Sequence, residues 1–124
     1  MKDGRTTVDD LKSLVAGFCA ERDWDMYHNP KDLAIGMATE ASELLEIFRF
    51  KDAAQSAAAV SDPVRGIDIR DELSDVFYFV LRFAQMNGID LTEALEEKLE
   101  KNAEKYPADR VRGRNEKYNE YNDI

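Results

Sequence analysis

One run of the sequence limits the fold more than any other. In "DVFYFVLRFA", Asp75 to Ala84, apolar residues cover almost the whole circumference of a helix drawn at about 100° per residue. A helix that is apolar all round has to be enclosed on all sides. With three further helical segments and no convincing strand, the chain is expected to be all-α. Three companion helices of ordinary length would struggle to enclose it, so an oligomer with this helix near the subunit contact is expected. The alternative is a buried central helix in a monomer.

Capping and breaking residues define the companions. The first helix starts at Thr7, where "TVDD" resembles a capping box with Asp10 at its third position, and runs to about Trp24. Val8, Leu11, Leu14, Val15 and Phe18 fall on one side of it. After the polar break "DMYHNP", Asn29 caps a second helix with Pro30 at its first position, predicted to continue to about Lys51. The segment "DAAQSAAAVSDPVRG" reads as a connector; its alanines prolong a helix or form a short one until Pro63 and Gly66 end it. The central helix is predicted from about Asp68 to Asn87, stopped by Gly88. Asp90 caps the fourth, "LTEALEEKLEKNAEKY", which Pro107 terminates. The remainder, 107–124, is a polar tail without a period. No segment alternates like a strand and none repeats, so the expectation is a single domain over 1–124, four-helix bundle-like.

Composition narrows the functions. With 26 Asp+Glu against 17 Lys+Arg the net charge is -9, and such a surface repels a phosphate backbone, so a nucleic-acid partner is not expected. A small phosphorylated ligand remains open, since it needs only a local cluster of cations or a metal. Cys19 is the only cysteine, so no intrachain disulfide can form, which suits a reducing compartment. The opening "MKDGRTTVDD" has no apolar signal region, and no run reaches the ~18 residues of a membrane span. The expectation is a cytoplasmic protein with no membrane partner.

Two acidic pairs break the helical pattern. On the second helix Leu33, Met37, Leu44, Ile47 and Phe48 define an apolar face; Glu40 sits in its middle and Glu43 roughly 60° around from it. On the central helix Glu72 and Asp75, three residues apart, share a face with Phe79, Phe83 and Met86. Glu46, further around the second helix, is assigned to solvent or at most to a supporting place behind the other two. If the two helices pack antiparallel, four carboxylates converge. They cannot all stay ionised in a dry site without a counter-charge or large pKa shifts. A hard divalent cation, Mg²⁺ or in substitution Mn²⁺, takes oxygen ligands and commonly binds phosphates as well. The bland alternative is that each pair sits at the edge of its stripe and reaches solvent. A di-iron bundle would need Glu-x-x-His on two helices, and zinc would need nitrogen or sulfur ligands; with His28 and Cys19 the only such residues, both fit poorly. Lys98, Asn102 and Lys105 recur at helical spacing on the fourth helix, followed by Arg110, Arg112, Arg114 and Lys117. This grouping suits a triphosphate, and a solvated helix face explains it about as well.

"EASE" followed by "ELSD" resembles the ExxE…ExxD signature of the all-α nucleoside triphosphate pyrophosphohydrolases, the MazG-like superfamily. The flanks "WDMYHNPKDLAIGMATEASELLEIFRFKD", "RDELSDVFYFVLRFAQMNGIDLTEALEEKLEKNAEKYP" and "RGRNEKYNEY" are similar to its dCTP pyrophosphatase branch, over nearly the whole chain from Trp24 to Tyr121. The resemblance implies Mg²⁺-dependent hydrolysis of a (deoxy)nucleoside triphosphate, with dCTP or a modified dCTP first, to the monophosphate and pyrophosphate: a house-cleaning activity. It implies that Glu40, Glu43, Glu72 and Asp75 hold the metal, with Glu43 the first choice to orient or deprotonate the attacking water. It further implies phosphate or sugar contacts for Lys98 and Asn102, and nucleotide contacts for Lys105 and Tyr106. The base is expected near His28 and Trp24, against Phe48 or Phe50, because aromatic walls stack a base. For His28 a backbone-bonded helix flank is an equal alternative, and for Trp24 plain core packing. Phe79 stands where related sequences can carry tyrosine, which bears on sugar discrimination. Phosphoribosyl-ATP pyrophosphohydrolase is a relative whose flanks fit less well. From a different class, a non-catalytic nucleotide-sensing or adaptor bundle is the second expectation. A homo-oligomer, dimer or tetramer, is implied throughout.

Overall fold

The computed structural model describes residues 1–120. The last letter of "RGRNEKYNEY", Tyr121, and the end of the expected tail lie outside the described residues. Among the described residues there is no strand, and the α-helices are α1 (Val8–Ala20), α2 (Pro30–Phe48), α3 (Ala53–Ser61), α4 (Arg65–Met86), α5 (Leu91–Lys105) and α6 (Ala108–Val111). Short 3₁₀ turns occupy Asp3–Arg5, Asp25–Tyr27 and Tyr118–Glu120. The all-α expectation holds, whereas four helices become six.

The additional helix α3 has a local cause. The Asp52 carboxylate accepts from the Gln55 backbone N–H at 2.8 Å, and the Gln55 amide oxygen accepts from the Asp52 N–H at 3.0 Å, a reciprocal cap that starts a helix on the alanines. Asp62 then accepts from the N–H groups of Val64 and Arg65, at 3.0 and 2.8 Å, and restarts the chain as α4. Gly66 does not end a helix, as the sequence suggested, but lies inside α4. A Cβ there would meet the Val60 carbonyl oxygen at 2.9 Å, so glycine lets the end of α3 approach α4 closely.

The expected caps are present at the other starts. Thr7 and Asp10 bond reciprocally at 3.0 and 3.1 Å, Asn29 accepts from the Asp32 N–H at 2.9 Å ahead of Pro30, and Asp90 accepts from the Glu93 N–H at 2.9 Å. Helix α1 ends at Ala20, before the expected Trp24, because Asp23 turns left-handed at φ 54. The N–H of Trp24 returns to the Cys19 carbonyl at 3.1 Å and that of Asp23 to Ala20 at 3.2 Å, a Schellman closure. This turn sets the direction of the segment carrying Trp24, Asp25 and His28.

The chain divides into two compact units, Met1–Gly88 and Ile89–Ile124. In the first, α4 is central: α2 packs along it most extensively, with α1 and α3 against other parts. Cys19, Leu33, Ala59, Ile69, Leu81 and Ala84 form its buried apolar core. Two features of α4 stand out from its apolar run. Arg82 is buried within it, and Leu73 and Phe77 remain 56% and 46% exposed on the single chain. With Asp3, Val76 and Val80 these two line a shallow depression of about 420 Å³. In the second unit α5 carries no buried residue, and Tyr106 meets Tyr118 edge to face at 6.1 Å. No helix among the described residues is long and apolar enough to cross a membrane.

Candidate active site

The two longest helices, α2 and α4, supply the acidic side chains. Gly36 lies against Phe79 while Glu40 and Glu43 lie against Glu72, so the residue order on the two helices runs in opposite directions: the pair is antiparallel. A Cβ on Gly36 would come within 2.4 Å of Phe79 Cε1, and its absence is what lets the helices close at this level. One helical turn beyond that close approach, carboxylate oxygens of Glu40, Glu43 and Glu72 all lie within 4.8 Å of one another.

Three of the four expected acids thus converge. Asp75, one turn along α4, is exposed and stands outside that group of three, yet its charge bears on both Glu40 and Glu72. Glu40 Oε2 and Glu72 Oε2 are buried and accept no hydrogen bond, and among the described residues none of the three glutamates forms an ion pair. Burial, followed by contact with Glu43 and its charge, then by Glu72 and Asp75, pushes the Glu40 carboxyl up to about 7 from 4.5. Glu72 is raised as well, first by its contact with Glu43, then by burial and by the charges of Glu43 and Asp75.

These observations fit a hard divalent cation. Oxygens on opposite sides of an octahedral Mg²⁺ are roughly 4.2 Å apart, within the spread of this cluster, and an all-oxygen donor set is what Mg²⁺ and Mn²⁺ take. Two buried acceptor oxygens without a donor are otherwise a cost with no return.

Beside the carboxylates lies a cavity of about 460 Å³ lined by Phe18, Trp24, His28, Glu40, Ser74, Asp75, Tyr78 and Phe79. Its aromatic wall is braced by edge-on contacts: Phe18 with Trp24 at 5.8 Å, Phe18 with Tyr78 at 6.2 Å, and Tyr78 with Phe79 at 5.0 Å. The Tyr78 hydroxyl lies 3.1 Å from Cys19 Sγ, and burial, then Cys19, holds its pKa above the ordinary value. His28 is half-buried, its ring 6.1 Å from that of Trp24. Burial first and Arg82 second hold it below its usual pKa, with Asp25 opposing.

Of the aromatic and basic residues expected from the sequence, Trp24, His28 and Phe79 line this cavity. Phe48, the last residue of α2, is half-buried and does not. Phe50 is 90% exposed at φ 65, under the Arg49 guanidinium at 4.6 Å. Lys98, Asn102, Lys105 and Tyr106 belong to the second unit, where Asn102 is half-buried and the Lys105 ammonium lies 4.9 Å from the Tyr118 ring. Sequence reasoning missed Phe18, Tyr78, Asp25 and Arg82. The one signal for the last was a cation inside an otherwise apolar run.

An all-helical chain with paired carboxylates on two antiparallel helices beside an aromatic cavity defines a recognisable class, and the comparisons identify it. The MazG-like family matches residues 35–121, and the chain belongs to that family. It is 34% identical to dCTP pyrophosphatase 1 of Rattus norvegicus over 112 residues, 90% of this chain and 66% of that protein. It is 33% identical to the Homo sapiens protein of the same name over 114 residues, 92% of this chain and 67% of the other. The chain therefore spans about two thirds of the length of these relatives. It is also similar to a crystal structure of a pyrophosphatase from Archaeoglobus fulgidus, at 30% identity and a TM-score of 0.76, covering 86% of this chain and 98% of that one.

Proposed function

We propose that this protein is a Mg²⁺-dependent nucleoside triphosphate pyrophosphohydrolase that cleaves between the α- and β-phosphates, with dCTP or a 5-modified dCTP as its substrate. The observation that carries this reading is the trio Glu40, Glu43 and Glu72, with two donorless buried oxygens, joined through Glu40 to an aromatic-walled cavity. The relatives named dCTP pyrophosphatase 1 support the choice of base.

Glu40, Glu43 and Glu72, with Asp75 beside them, would hold the metal. When bound, Mg²⁺ neutralises charge on the phosphoryl oxygens and lowers the pKa of the attacking water. Glu43 is exposed, unlike Glu40 and Glu72, and is therefore the carboxylate best able to reach that water, orient it and accept its proton. The rings of Trp24, Phe18 and Phe79 would stack or flank the base, which fixes the triphosphate relative to the acids. Contacts of Lys98 and Asn102 with phosphate or sugar, and of Lys105 and Tyr106 with the nucleotide, rest on the sequence resemblance alone. A homo-oligomer is part of the proposal, since the exposed Leu73 and Phe77 leave an apolar face of α4 uncovered on one chain. The role is house-cleaning of the nucleotide pool in the cytoplasm.

The test is a panel of natural and 5-modified dNTPs with Mg²⁺ or Mn²⁺, with phosphate measured with and without added inorganic pyrophosphatase. Phosphate that appears only with the added enzyme is expected, greatest for the cytosine nucleotides. No pyrophosphate from any member of the panel overturns the proposal. A monomeric mass by sedimentation overturns its oligomeric part.

A further inference from the structure

Arg82 is the largest fully buried side chain among the described residues, 1% exposed, and it is a cation. Three of its nitrogens are engaged. Nε donates to His28 Nδ1 at 2.9 Å, Nη1 donates to Gln85 Oε1 at 2.6 Å, and Nη2 donates to the Asp25 carboxylate. Gln85 is on the same helix, one turn along, whereas Asp25 opens and His28 closes the 3₁₀ turn that follows α1. The guanidinium thus ties that turn to the C-terminal part of α4.

The bond to His28 has a consequence for its protons. A guanidinium has no acceptor atom and does not deprotonate, so Nδ1 must offer a lone pair. Only a neutral imidazole with its proton on Nε2 can do so. Doubly protonated His28 would have no lone pair for Arg82 and would set two cations against each other. Asp25 balances the guanidinium charge, and Asp75 and Glu40 are the other charged groups on the cavity wall. Nε2–H is left as a donor with no acceptor among the described residues, on a ring that lines the cavity.

We propose that Arg82 is a positioning residue for base recognition: it locks His28 as the Nε2–H tautomer, which donates to a carbonyl oxygen or unprotonated ring nitrogen of the base in the aromatic cavity. An exocyclic amine presented at that point would meet a donor and be rejected. The inference rests on the reading that the cavity holds the base of a nucleotide.

His28 is the only histidine, so its ring nitrogens give an unambiguous signal. Long-range ¹H–¹⁵N spectra of the ¹⁵N-labelled protein at neutral pH are expected to show Nδ1 bare and Nε2 protonated, in one slowly exchanging form. An imidazolium, the opposite tautomer or a fast mixture overturns the lock. With dCTP and Mg²⁺, His28→Leu and Arg82→Met are each expected to raise KM about tenfold, the loss of one hydrogen bond, with the loss falling on KM rather than kcat. His28→Gln, whose amide keeps a donor near the Nε2 position, is expected to restore most of that loss. A merely structural tie predicts no rescue by glutamine. Should Arg82→Met fail to fold, the wild-type spectrum and the two His28 variants decide alone. An unchanged KM in His28→Leu, with wild-type turnover intact, overturns the inference and leaves the hydrolase reading standing. A wild type that turns over no nucleotide overturns the hydrolase reading and base recognition with it, while the spectrum still decides whether Arg82 sets the tautomer.

Discussion

Two clusters of charge are built into α4 about three turns apart, and they are finished in opposite ways. Around Arg82 every engaged group has its complement: a carboxylate from Asp25, a lone pair from His28 and an amide oxygen from Gln85. Around Glu72 three carboxylates face one another with no cationic side chain paired to them among the described residues, and two buried oxygens lack a donor. Arg82 is 1% exposed and fully paired within its own chain, whereas among the described residues nothing completes the glutamates. A buried charge that is fully paired holds elements together and fixes geometry. One left unpaired costs stability and is retained where a ligand repays it.

Removing a member of each cluster should therefore have opposite consequences. The largest effect is expected at the open cluster and on activity. Glu43→Ala should lower kcat about a thousandfold, some 4 kcal/mol of transition-state stabilisation, because it deletes a metal ligand and the proposed water-orienting group together. In the same variant the metal-free melting temperature should hold or rise, since one of three mutually repelling carboxylates is gone. Steady-state kinetics and calorimetry in EDTA check the pair of outcomes. A variant that loses stability in step with activity would mean that the cluster is structural and that the contrast is wrong.

The next effect falls on the closed cluster and on stability. Arg82→Met leaves similar volume but strips partners from His28, Gln85 and Asp25, and is expected to cost about 3 kcal/mol. For a chain of this size that lowers the melting temperature by roughly 10 °C. Asp25, 65% exposed, can turn to water, so the cost lies mainly in the lost tie between the turn and α4. A melting temperature within a degree or two of wild type would show that Arg82 is tolerated in the core rather than needed there.

The two clusters also differ in how far the sequence disclosed them. The glutamates were visible because their spacing set them among Leu33, Met37, Leu44 and Phe79 on faces that should have been apolar, a conflict detectable within each helix. Helix starts at Thr7, Asn29 and Asp90 were legible for the same reason, since a cap and its partner lie three residues apart. Arg82 gave only half a signal. Its partners Asp25 and His28 lie 57 and 54 residues away, and nothing in "DVFYFVLRFA" says that the arginine points inward. Helix α3 was obscured differently: alanine favours helix without fixing an end, so Asp52, Gln55 and Asp62 decide it through side-chain bonds. The run from Asp75 to Ala84 reads as needing cover all round, and on one chain Phe77, with Leu73 a turn before it, stays about half exposed; apolar pattern reports that a surface should be buried but not by what.

The smallest effect distinguishes the clusters by the sign of their response to acid. Metal-free Glu40 has its carboxyl raised to about 7 when folded, against 4.5 unfolded. Between those values the folded state binds the extra proton, so this group's contribution to stability is greatest at and below 4.5 and is lost as pH rises through 7. His28 runs the other way. Its folded pKa lies below 6.5, so its contribution is present above 6.5 and lost as pH falls through the folded value. In EDTA, a Glu40→Gln variant should consequently be stabilised relative to wild type at about pH 8 and much less so at about pH 5. His28→Gln should flatten the acid limb instead. Saturating Mg²⁺ should abolish the Glu40 difference at neutral pH, since binding requires the carboxylate form that burial otherwise penalises. Melting curves across pH for wild type and both variants, with and without Mg²⁺, resolve the two slopes. Parallel curves for wild type and Glu40→Gln would show that the glutamates are solvated, and that α4 carries one buried charge cluster rather than two.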